Sequence, residues 1–221
     1  MSLFLKLFGT TAEYNTYTAD TANFIKPNVS LCEDTMNVAY HPYVAPTPSY
    51  ESVDLGLPSG TLWAKYNVGA TSETEYGNYY QYGKGAAQYA ATSGDSDYSG
   101  TENPLATSAD TAAQVWGGNW HTPTTTQFME LTANTIYQWS TINGISGGKF
   151  TAQNGNYIFI PAAGGYLDGS QTSVGEFGSV WLAYSDPSKP NKAYNLYCVD
   201  GNKSSNNMFR RIGLPVRPVM D

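Results

Sequence analysis

Between Thr135 and Val219 the chain runs through a succession of short stretches, at 135–139, 148–153, 157–161, 178–184, 193–199 and 213–219, separated by segments rich in Gly, Asn, Asp, Ser or Pro. Runs this short, rich in β-branched and aromatic residues and bounded by turn formers, read as strands. An earlier pair, 53–57 and 61–64, flanks Pro58-Ser59-Gly60 and reads as strand, tight turn, strand. Only two segments have helical character. Residues 107–116 offer Thr107 or Ser108 as a cap, Asp110 in the first turn and Ala109, Ala112 and Ala113 as helix formers; the second runs from Thr124, an N-cap, to about Ala133 with Phe128 and Leu131 at helical spacing. Two helices among short, mainly antiparallel strands define an α+β class. With 13% charged and 14% aromatic residues, the composition suits short strands and ordered loops.

Two regions follow from the punctuation. Residues 1–49 are predicted to hold a small hairpin unit, with strands at 28–32 and 38–40 around a turn at 33–37, and then a stiff linker marked by Pro42, Pro46 and Pro48. A lone two-stranded hairpin is marginal, so this unit is expected to pack on a partner chain or on the main domain. Residues 50–221 are long enough for one sizeable core. Within them 71–104, rich in Tyr, Gly, Ser and Asp, is expected to be a surface excursion.

Several function classes are excluded or disfavoured. A net charge of −7 argues against nucleic acid, whose phosphates call for clustered Lys and Arg. No apolar run approaches the ~20 residues that cross a bilayer, so membrane insertion is not expected. The apolar start, residues 1–8, contains Lys6 and lacks a cleavage region, so it is not read as a signal peptide. Cys32 and Cys198 suggest two buried free thiols rather than a disulfide framework or zinc site, with their pairing left open. His41 and His121 form no pair at metal spacing, and no nucleophile-base arrangement is legible. Trp63, Trp116, Trp120 and Trp139 are expected in the core, and Arg217 as a structural ion-pairing residue.

The run 53–64, with Asn67-Val68-Gly69-Ala70, Tyr76-Gly77-Asn78-Tyr79-Tyr80, Trp116-Gly117 through Trp120, Pro123-Thr124 and the closing Gly213-Leu214-Pro215-Val216-Arg217-Pro218-Val219, resembles the Fibrobacter and Bacteroides major paralogous domain. The match extends from Val53 to the C-terminus. It implies a C-type-lectin-like fold and a binding module rather than an enzyme. The same domain serves variable proteins of diversity-generating retroelements, whose C-terminal cassette is rewritten; the resemblance places such a variable region at about 178–214. More weakly, residues 25–43 resemble the head of Bacteroidales phage structural proteins. That implies attachment to a virion part or a homotrimer through the N-terminal unit, a phage-tail or bacterial-surface location, and a host-surface protein or glycan as partner. A fixed-ligand cell-surface or fimbrial adhesin is the alternative. The remote alternative is an enzyme similar to formylglycine-generating enzymes, which need a cysteine pair; the matched region holds only Cys198.

Strand alternation nominates the contact residues. Within 193–199, Leu196 and Cys198 are expected inward and Asn195, Tyr197 and Val199 outward. Around Trp181 as core anchor, Ser179, Val180, Leu182, Tyr184 and Asp186 are the candidate surface, joined by Asn206, Phe209, Arg210 and Ile212 before the final strand, where Leu214 and Val216 point inward. Tyr and Phe offer rigid contact area while Ser and Asn adapt their hydrogen bonds. No cofactor is expected. The Glu-Pro-Asn loop and Trp-Asn-Asp strand of calcium-binding lectins are missing, although Glu102-Asn103-Pro104 and Asp95-Ser96-Asp97 leave calcium as a minor possibility.

Overall fold

Thr124 opens the longer helix as its sequence implies. Its hydroxyl accepts the Gln127 N–H at 3.2 Å while the Gln127 side chain accepts the Thr124 N–H at 2.9 Å, a complete capping box. In the computed structural model, residues 50–84 and 98–221 are described. The predicted hairpin, linker and trimerisation unit at 1–49, with Cys32 and His41, and Asp95 and Asp97 of the surface excursion lie outside the described residues. The elements in chain order are β1 (Ser52–Val53), β2 (Leu62–Ala64), α1 (Thr111–Val115), β3 (Trp120–His121), α2 (Thr125–Asn134), β4 (Thr135–Ile142), β5 (Ile145–Ala152), β6 (Tyr157–Pro161), β7 (Gly165–Leu167), β8 (Ser170–Thr172), β9 (Gly178–Ser185), β10 (Lys192–Val199), β11 (Asn202–Phe209) and β12 (Val219–Met220). Among the described residues, two helices and small antiparallel sheets give an α+β architecture. No helix among the described residues is long and apolar enough to cross a membrane.

Three short turns set much of the sheet register. Asn143-Gly144 joins β4 to β5 and Asp168-Gly169 joins β7 to β8, all four residues at positive φ, the left-handed geometry that suits two-residue hairpins. Asp200-Gly201 joins β10 to β11, with Gly201 at φ 72°. The sheets run β4-β5-β6, β11-β10-β9, β1-β2-β12-β3 and β7-β8.

Strand β9 divides the interior. Val180 and Leu182 pack with Leu131, Phe150, Ile158, Ile160 and Leu196 in one core cluster. Trp181 and Ala183 pack with Tyr80, Tyr82, Trp116 and Val216 in the other. The indole of Trp181 donates to the Tyr80 carbonyl at 2.7 Å. Val180 and Leu182 were expected at the surface because the alternation was read for one core; between two cores both faces of a strand are apolar and neither reaches water.

Other expectations meet specific outcomes. Trp63, Trp116 and Trp120 are buried, and Trp139 is half-buried against the first cluster. Helix α1 is shorter than predicted and is capped by Asp110, not by Thr107 or Ser108: its carboxylate takes the N–H groups of Ala112 and Ala113 and also that of Thr122. The final run is strand only at Val219–Met220. Arg217 has no carboxylate partner among the described residues. It donates to the carbonyls of Ala64, Lys65 and Phe159 and to the Asn67 amide, at 2.6–3.1 Å. Burial lowers its pKa to about 9, which leaves the guanidinium charged at neutral pH.

Candidate functional site

The β9-β10-β11 sheet carries most of the candidate contact residues, all but Asp186, Arg210 and Ile212, and its ladder decides which way those on it point. Lys192 pairs with Phe209, Tyr194 with Asn207, Leu196 with Ser205 and Cys198 with Lys203. Those residues therefore share one face, and Ala193, Asn195, Tyr197 and Val199 share the other with Met208, Asn206, Ser204 and Asn202. Leu196 and Cys198 thus lie on the opposite face of β10 from Asn195, Tyr197 and Val199, as strand alternation requires, but Asn195 is buried rather than outward.

Access to solvent follows a gradient across the sheet rather than the face alone. β9 is buried almost throughout, β10 is mixed, and no residue of the edge strand β11 is buried. This corrects several expected surface positions. Besides Val180 and Leu182, Ser179 is buried, with its hydroxyl donating to the Leu196 carbonyl at 3.1 Å and accepting the Asn195 amide at 2.6 Å. Asn195 is sealed because β10 is the middle strand, with Trp181 and Asn206 directly opposite on either side; its Oδ1 has no hydrogen-bond partner among the described residues.

Asp186 is buried as the organiser of the β9–β10 turn. Ser188 donates its hydroxyl at 2.7 Å and its N–H at 2.9 Å, Lys189 its N–H at 3.2 Å, and Asn207 its amide at 2.7 Å. These donors, led by the Ser188 hydroxyl, hold the carboxyl below its ordinary pKa. Arg210 is also buried. It donates to the carbonyls of Lys192, Tyr98 and Gly100, and its guanidinium lies 5.3 and 5.6 Å from the ring centroids of Tyr82 and Tyr98. The guanidinium ties the 98–100 loop to Lys192 of β10 through three carbonyls, which makes Arg210 a brace rather than a contact residue.

The remaining nominees are at least partly accessible. Tyr184 is half-buried edge-on against Tyr194, and Tyr197 is half-buried against Phe177, with centroids 5.4 and 5.2 Å apart. Val199 is half-buried and its carbonyl accepts the Tyr137 hydroxyl. Asn206 is exposed, Phe209 is 38% exposed, and Ile212 is half-buried against the second core cluster.

Beneath this sheet, Cys198 is a free, buried thiol against β5. A Cβ at Gly148 or Gly178 would come within 2.7 or 2.8 Å of its sulfur, so close packing requires glycine at both positions. Burial raises the thiol pKa to about 12.

Sequence reading missed strand β11 and, with it, Lys192, Lys203 and Arg211 as face residues. The available signal was the Asp200-Gly201 turn directly after a predicted strand, which announces a hairpin partner. Lys192 Nζ lies 4.6 Å and Arg211 Cζ 5.7 Å from the Phe209 ring centroid, and Lys203 Nζ lies 5.5 Å from that of Tyr137.

Elsewhere, Trp120, His121, Glu130 and Asp221 contribute to a cleft of about 720 Å³. Glu130 accepts from Ser59, and Asp221 from Thr61 and Gln127, with His121 Nε2 3.3 Å from its other oxygen. Among the described residues no group of three His, Cys, Asp or Glu side chains could hold a metal ion. Asn103 instead exchanges amide hydrogen bonds with the Ser185 backbone. The chain matches no protein-family model, no curated protein and no solved structure.

Proposed function

We propose that the chain is a ligand-binding module of C-type-lectin-like fold, a variable protein of a diversity-generating retroelement carried on a phage tail, which presents the β10–β11 hairpin to a host-surface receptor. The observation that carries this reading is the contrast between β9 and β11. All eight residues of β11 pair with β10 through the backbone, yet none is buried. Backbone pairing does not depend on side-chain identity. Residues such as Ser205, Asn206 and Phe209 can therefore change at little cost to the fold, while Val180, Trp181 and Leu196 hold the cores. Tyr184 and Tyr197 add rigid aromatic contact area beside the adaptable Ser and Asn of β11. Many copies on one virion would convert weak contacts into firm attachment.

The test is genomic and functional. A template repeat near the gene should differ from it at adenines in the codons of Tyr184, Tyr197, Asn206 and Phe209 and spare those of Val180, Trp181 and Leu196. Differences scattered over both sets, or no template, would leave a fixed-ligand adhesin in its place. In parallel, replacing Tyr197, Asn206 and Phe209 together with Ala should abolish adhesion to intact Bacteroidales cells without unfolding the protein. Unchanged adhesion would refute the assignment of the hairpin, whose two faces carry Tyr197 with Asn206 and Phe209 respectively.

A further inference from the structure

Residues 186–212 hold five of the eleven Lys and Arg of the chain but two of its eighteen Asp and Glu, in a protein of net charge −7. The hairpin and its flanks are thus a basic segment in an acidic molecule, with Asp200 exposed at the turn. One of its two acids, Asp186, is buried and engaged by four donors from Ser188, Lys189 and Asn207. Lys192, Lys203 and Arg211 form no salt bridge among the described residues; the ion pairs there are Lys65 with Glu51 and His121 with Asp221. The three cations instead stand over aromatic rings, Lys192 and Arg211 about Phe209 and Lys203 over Tyr137. A cation held on a ring face is positioned without being neutralised, so its charge stays available to an incoming anion.

Resting on the reading that this hairpin binds a ligand, we infer that the ligand is an acidic saccharide chain, its carboxylates or sulfates received by Lys192 and Arg211 around Phe209 and by Lys203. Lys203 and Phe209 lie on the same face of β11, six residues apart, which at ~3.4 Å per residue places them roughly 20 Å from each other. That span suits an oligosaccharide with repeated anionic groups better than a single sugar. Exposed Ser205, on that face between them, provides a hydroxyl partner for sugar hydroxyls. An acidic peptide adding itself as a further strand is disfavoured, because the Asn207 N–H is already held by the Asn206 side chain at 2.8 Å.

The experiment measures binding of the full chain to polygalacturonate, with neutral dextran and poly-glutamate as the other arms. Polygalacturonate should bind, dextran should not, and poly-glutamate should bind at least tenfold more weakly. Raising salt should weaken binding, since the screening length falls from ~10 Å at 0.1 M to ~3 Å at 1 M. Lys192→Gln, Lys203→Gln and Arg211→Gln together should reduce polygalacturonate binding at least tenfold. Phe209→Ala removes the ring over which Lys192 and Arg211 stand and should weaken binding to polygalacturonate. The Lys65→Gln and Lys149→Gln controls, away from the face, should bind normally. Equal binding to poly-glutamate, an unaffected triple variant, or no binding by the unaltered chain would each overturn the inference. If the last result accompanies adhesion to cells that is lost with Tyr197, Asn206 and Phe209, the acidic-saccharide assignment fails and the contact face stands; if adhesion does not depend on them, both fail.

Discussion

Replacing Leu182 by Ala separates the two ways of reading strand β9. Leu182 is fully buried in the first core cluster with Leu131, Phe150 and Ile160, so truncation removes buried methyl groups and leaves a cavity. Such changes cost about 2–5 kcal/mol, and 1 kcal/mol corresponds to roughly 2–4 °C in Tm for a domain of this size. Leu182→Ala should therefore lower Tm by about 4–20 °C. Asn206→Ala, on the edge strand and exposed, should move it by no more than about 2 °C, because surface changes usually stay within ~0.5 kcal/mol. Thermal unfolding followed by circular dichroism, with urea midpoints as a second measure, reads both variants. Near-equal shifts, or a larger shift for Asn206→Ala, would refute the division between a β9 that folds the protein and a β11 that is free to change.

Cys198 predicts a pH dependence. Its folded pKa of about 12 lies above the ~8.5 of a free thiol, so its stabilising contribution is whole below ~8.5 and is lost as pH rises toward 12. In a Cys32→Ser background, stability should fall more steeply between pH 9 and 11 than in the same chain carrying Cys198→Ala, as urea titrations would show; parallel curves would contradict the buried thiol. Arg217→Lys cannot reproduce the fan of bonds to Ala64, Lys65, Asn67 and Phe159. It should lower stability by about 2–4 kcal/mol in urea unfolding while leaving cell adhesion intact below the transition. A loss of adhesion in the folded variant would instead place Arg217 at the contact face.

Much of the scaffold was legible because its causes are local. Thr124 with Gln127 announces a cap whatever the helix packs on, and 157–161 coincides with β6 because the run ends in Pro161. Leu196 and Cys198 were placed inward by alternation and are buried, although Ala193 and Asn195 on the opposite face of β10 are buried as well. Asp110 was assigned to the first turn although it is the cap; its carboxylate also serves the distant Thr122, a contact no local pattern records. The edge strand was missed because Asn202–Phe209 has neither β-branched residues nor apolar alternation, and pairing with β10 supplies what propensity does not.

Taken alone, the order of residues settled where the chain can turn, where α2 begins, and that Leu196 and Cys198 belong to the core. Tertiary structure decided that β9 lies between two cores, that a polar octapeptide becomes an edge strand, and that Asn195, Asp186 and Arg210 are enclosed rather than presented. The reason is physical. Periodicity along one strand reports a single boundary between core and water, whereas burial at these positions depends on what distant segments lay against the second face.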